Sequence, residues 1–68
     1  MNKIEIDQPA LVHYDTRDLA GVVDQVLRTR SGDVRQVIVR LYGGPDRVRF
    51  VPVQGSWKSL GGFSTLTV

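Results

Sequence analysis

LAGVVDQVLRTRSGDVR, residues 19–35, decides the fold. Leu19, Val22, Val23, Val26 and Leu27 recur at i, i+3, i+4, i+7 and i+8, the spacing of one helix face. Asp15 or Thr16 could cap the start of such a helix and Gly32 could follow its end. The same residues also suit a strand. Three of the five apolar residues are valine, and Gly21 lies in what would be the first turns. A glycine there costs a helix about 1 kcal/mol relative to alanine. As a strand, the segment bends in at Gly21 and turns at Ser31-Gly32-Asp33. Pattern alone leaves both readings open.

The clearest local signal lies downstream, in VRQVIVRLYGGPDRVRFVPV, residues 34–53. Both arms are rich in β-branched and aromatic residues and flank Gly43-Gly44-Pro45-Asp46, a strong turn signal. With those four residues as the loop, Tyr42 lies opposite Arg47, Leu41 opposite Val48, Val39 opposite Phe50 and Val37 opposite Pro52. Alternation then gives one face of Val37, Val39, Leu41, Val48 and Phe50, a core face. The other face carries Gln36, Ile38, Arg40, Tyr42, Arg47, Arg49, Val51 and Val53, with Arg40 opposite Arg49. Pro52 cannot donate to a ladder, so this arm ends or meets an edge there.

The flanks are shorter. Residues 1–8 read as a leader ending before Pro9, and residues 10–14 as a short strand followed by a turn at Asp15-Thr16-Arg17-Asp18. After the break at Gln54-Gly55-Ser56, Trp57 to Leu60 read as a short link or one helical turn. Gly61-Gly62 then release the chain into a last strand with Leu66 and Val68 on one face.

Gly21-Val22-Val23-Asp24-x-Val26-Leu27, Gly32, and Val34-Arg35-x-Val37-Ile38-Val39 resemble the first half of a PRC-barrel domain, and Val51-Pro52 resembles the hydrophobic-proline end of that family's third strand. The resemblance spans about residues 10–53. It departs at Val53-Gln54-Gly55, where acidic or aromatic residues often follow the proline, and the tail with Trp57 does not align. The resemblance implies a small SH3-like barrel that docks and assembles, with no catalytic set to carry over. The expectation is therefore all-β, one domain over residues 1–68, a barrel of about five strands over residues 9–68. The alternative is an α+β domain with a helix over residues 16–30 on an antiparallel sheet.

Sixty-eight residues make one domain at most, and a chain this short is marginal alone. It holds no cysteine and one histidine, so it has no disulfide and lacks the four N or S ligands of a structural zinc site. That leaves efficient packing or self-association for extra stability. A hydrophobic fraction of 41% is that of a globular chain. No apolar run approaches the roughly 18 residues that span a bilayer. MNKIEIDQPA has no apolar core and does not read as a signal peptide. A cytoplasmic setting is the expectation.

The net charge of +2 is unevenly spread. Residues 1–27 carry two cations against five acids, −3, and residues 28–68 carry seven cations against two acids, +5. Either the halves pair across strands or the second presents a basic surface to an acidic partner. His13 reads as a solvated or hydrogen-bonded residue at a strand end. Asp15, Asp18 and Asp24 read as turn and surface residues rather than paired acid–base carboxylates. Gly43-Gly44-Pro45-Asp46 lacks the spacing and lysine of a phosphate loop. No catalytic, cofactor-binding or metal residues are assigned, and no enzyme is expected.

The candidate partner-binding residues are Ile38, Arg40, Tyr42, Arg47, Arg49, Val51 and Trp57. An apolar strip rimmed by arginines suits a protein partner or a homo-oligomer. A basic, aromatic face could instead hold phosphates and stack bases, which makes nucleic acid the alternative. Trp57 either plugs one end of the barrel or anchors a partner.

Overall fold

The computed structural model describes residues 4–44, 46–61 and 64–68. The opening stretch is a strand. β1 (Pro9–His13), β2 (Asp18–Arg28), β3 (Val34–Leu41), β4 (Arg47–Val53), β5 (Ser56–Ser59) and β6 (Thr65–Thr67) follow one another along the chain. Each pairs antiparallel with the next, and β6 returns to β1, closing a barrel. The described residues contain no helix, which removes the α+β alternative.

The helical spacing in β2 has a physical origin. Its pairing with β3 runs Val23↔Val39, then Gln25↔Ile38 and Val26↔Val37, with Asp24 as the extra residue of a bulge. A bulge inserts one residue and resets the alternation of faces. Val23 and Val26, three apart, both pack into the core although a regular strand would separate them. Val22 is also buried, yet it lies outside the core cluster, as a neighbour of inward Val23 should. Gly21 serves close approach. A Cβ there would sit 2.6 Å from the carbonyl oxygen of Arg40, inside contact distance.

The β3–β4 register differs from the expected one. The ladder pairs Arg40↔Arg47, Val39↔Val48, Ile38↔Arg49 and Val37↔Phe50. The Leu41 amide donates to the Asp46 carbonyl at 3.1 Å, so the turn starts at Tyr42 rather than Gly43. Tyr42 instead donates its amide to the Ala20 carbonyl at 3.1 Å and extends the contact with β2. The offset is even, so each side chain keeps its expected face while every cross-strand partner changes. Pro45, part of the expected loop, lies outside the described residues.

Among the described residues there are six strands, not five, because Trp57 and its neighbours form β5 rather than a link or helical turn. Val53↔Ser56 closes a two-residue hairpin in which Gln54 and Gly55 both have positive φ, 49° and 82°. That is the requirement of a type I′ turn. The segment expected as a leader is tied to the barrel. Ile4 is wholly buried, the Asp7 amide donates to the Val23 carbonyl at 2.8 Å, and the Val23 amide donates to the Gln8 carbonyl at 2.9 Å. The core comprises Ile4, Ala10, Val12, Val23, Val37, Val39, Phe50 and Leu66. Leu66 is buried, whereas Val68, expected on the same face, is 37% exposed.

Candidate functional site

The outer face of β3 and β4 brings together five of the seven candidate residues. Ile38 pairs with Arg49, Arg40 pairs with Arg47, and Val51 follows Arg49 on the same face. Ile38 and Val51 are half-buried, and Arg40, Arg47 and Arg49 are exposed. Val51 pairs with exposed Lys58 on β5. The backbone amide of exposed Leu60 donates to the Arg49 carbonyl at 3.1 Å, placing Leu60 beside this row.

The opposed arginines are Arg40 and Arg47, not Arg40 and Arg49 as the sequence register gave. Like charges directly opposite repel, and the β2 bulge supplies the remedy. Asp24, only 24% exposed, accepts from Arg47 Nε at 2.9 Å and faces Arg40 Nε at 3.9 Å. Among the described residues, Arg49 and Lys58 have no ion pair. The face is therefore an apolar strip with a neutralised end at Asp24 and a cationic end at Arg49 and Lys58.

The remaining two candidates lie elsewhere. Tyr42, 62% exposed, lines a cleft of about 300 Å3 with Leu19, Ala20, Leu41 and Asp46. Trp57 pairs with Pro52 and packs half-buried against the core. It also lines a cleft of about 370 Å3 between β5 and β6, with Ser56, Thr65, Leu66, Thr67 and Val68. Among the described residues the register of these two strands pairs Lys58 with Thr65.

His13 is held on both ring nitrogens, an arrangement that sequence reasoning reached only in part. Nδ1 lies 2.8 Å from Asp18 Oδ1, and Nε2 lies 2.7 Å from Thr67 Oγ1. Asp18 is the directly opposed residue on β2. Thr67 belongs to β6, fifty-four positions away, and no local pattern points to it. Asp18 and Asp24 are engaged separately, Asp18 with the His13 ring and Asp24 with Arg47. Among the described residues no group of three or more His, Cys, Asp or Glu side chains could hold a metal ion. Among the described residues no helix is long and apolar enough to cross a membrane.

No family model matches the chain, and no curated protein or solved structure matches it. Its architecture is that of a small, closed, six-stranded antiparallel β-barrel.

Proposed function

We propose that the chain is a non-enzymatic interaction module that docks a protein through the outer face of β3 and β4. The observation that carries this reading is the half-buried Ile38 and Val51, each directly opposite a cation, Arg49 and Lys58 respectively, neither of which has an ion pair among the described residues. An apolar strip beside uncompensated cations favours a partner with apolar side chains and carboxylates. A second copy of the chain offers such carboxylates, because Glu5, Asp7 and Asp15 are all exposed. The strand layout supports a PRC-type reading of the barrel. Gly21 to Leu27 lie in β2, Val34 to Val39 in β3, and Val51-Pro52 in β4. A cysteine-free chain is consistent with a cytoplasmic setting.

Sedimentation velocity tests the proposal. The parent protein at low salt is expected to sediment as more than a 7.6 kDa monomer. Association should weaken with added salt and disappear in Ile38→Glu and Arg49→Glu. A parent that stays monomeric across concentration would reject docking between copies.

The alternative is nucleic acid bound by Arg40, Arg47 and Arg49, favoured by their shared face and by the exposure of Tyr42. Against it, Tyr42 lies past the end of β3 and lines a cleft that no arginine lines, and a stacking platform needs aromatics among its cations. Titration with random single- and double-stranded oligonucleotides at two salt concentrations separates the readings. Binding that falls steeply with salt and is lost in Arg47→Ala/Arg49→Ala supports nucleic acid.

A further inference from the structure

The contact between His13, Asp18 and Thr67 has the layout of an activated nucleophile. Three adjacent strands present it. His13 ends β1, Asp18 opposes it on β2, and Thr65 opposes it on β6. Thr65 and Thr67 alternate with buried Leu66, so both threonines share the outer face with His13.

The hydrogen bonds fix the proton positions of the neutral imidazole. The Asp18 carboxylate only accepts, so Nδ1, 2.8 Å away, carries the ring hydrogen. Nε2 is then left with its lone pair, and the Thr67 hydroxyl at 2.7 Å donates to it. A hydroxyl within hydrogen-bond reach of a base, with the base oriented by a third group, is the arrangement that activates a nucleophile. The hydroxyl is also accessible. Thr67 is exposed and lines the cleft of about 370 Å3 between β5 and β6, whose wall includes the half-buried Trp57.

We propose that Thr67 is an acyl-acceptor site, with His13 as its general base and Asp18 as a positioning residue. The donor class is a small activated carboxylic ester whose organic group rests in the cleft beside Trp57. Thr67 Oγ1 attacks the ester carbonyl carbon while its proton passes to His13 Nε2. The tetrahedral adduct collapses, the bond to the leaving oxygen breaks with its electron pair on that oxygen, and the proton moves from Nε2 to the leaving group or to solvent. The products are an ester on Thr67 and a free alcohol or phenol, with no change of oxidation state. This is a site of modification, separate from the β3–β4 face and independent of the docking reading.

The full chain incubated with p-nitrophenyl acetate tests the proposal, with nitrophenolate release followed by absorbance and the acetylated residue located by peptide mass spectrometry. One acetyl group on Thr67 is expected. Its formation should slow about a hundredfold in His13→Gln, the scale of general-base assistance, and disappear in Thr67→Val. Thr67→Ser should retain it. Asp18→Asn should slow it without moving the acetyl group from Thr67. A purely structural clasp would lower the melting temperature of these variants without slowing acetylation of Thr67. Acetyl found on Lys58, Ser56 or the amino terminus in place of Thr67, or an unchanged rate in His13→Gln, would overturn the proposal. Should His13→Gln fail to fold, the labelled position in the parent decides alone.

Discussion

Asp24 of β2 reaches across β3 to Arg47 of β4, its Oδ2 accepting from Nε at 2.9 Å. On the way it passes Arg40, which stands directly opposite Arg47. Asp24 is the residue that the bulge adds, and it stays on the outer face that Val22 shares with its partner Arg40. The bulge returns Val26 to the core, and Asp24 puts one negative charge between two positive ones.

The pair is partly exposed, with 59% of the Arg47 side chain accessible, so its worth is modest. Asp24→Ala should cost about 1 kcal/mol or less in urea unfolding, while releasing both arginines. Binding of an acidic partner through the β3–β4 face should then tighten and grow more salt-dependent. Equal affinity in the parent and in Asp24→Ala, measured by titration at two salt concentrations, would mean that Arg40 and Arg47 take no part in docking.

Gly21 and Gly44 make a controlled comparison. A Cβ on Gly21 would lie 2.6 Å from the Arg40 carbonyl oxygen and 3.2 Å from the Leu41 Cα, backbone atoms that cannot swing aside. Gly44 has open space around its Cβ position. Gly21→Ala is expected to destabilise the barrel by roughly 1–3 kcal/mol, the usual cost of forced overpacking. Gly44→Ala should be close to neutral. Chemical denaturation of the two variants beside the parent checks both, and equal midpoints would contradict the close approach of β2 and β3.

Ile4 carries a further expectation. The residues before Pro9 read as a leader because they are polar and precede a proline, but Ile4 is wholly buried against the core. Its backbone carbonyl also accepts from Arg28 Nη2 at 3.1 Å. Ile4→Ala should therefore cost about 2–5 kcal/mol, as for other buried large-to-small changes. Ile6→Ala, at a position 59% exposed, should cost far less. A thermal melt in which the two variants behave alike would return residues 4–8 to the status of a loose leader.

What the sequence conveyed depended on how local the cause was. The β3–β4 hairpin was legible because alternation along both arms reports the face of each side chain, and an even register error leaves faces unchanged. Cross-strand partners were not legible, because they depend on where the turn begins. That point is set by the hydrogen bond from Tyr42 to Ala20 on another strand. The helix-like spacing of Val22, Val23 and Val26 was ambiguous because a bulge imitates the period of a helix for one repeat. Ile38, Arg40, Arg47, Arg49 and Val51 could be grouped from alternation alone. Thr67 could not be joined to His13, because only closure of the barrel between β1 and β6 brings them together.

The turn between β4 and β5 offers a stabilising substitution. Gln54 adopts φ of 49°, a left-handed conformation that costs a side chain bearing a Cβ roughly 1–2 kcal/mol. Asparagine tolerates this region better than glutamine, and Asn-Gly is the favoured pair for a type I′ turn. The glycine of that pair is already present as Gly55, with φ of 82°. Gln54 is exposed, so the exchange disturbs no packing. Gln54→Asn should raise stability by about 0.5–1 kcal/mol and move the melting temperature up by several degrees. Gly55→Ala should move it down, because alanine resists positive φ. If the two substitutions shift the melt in the same direction, the turn is not of this type, and the register of β5 against β4 is wrong with it.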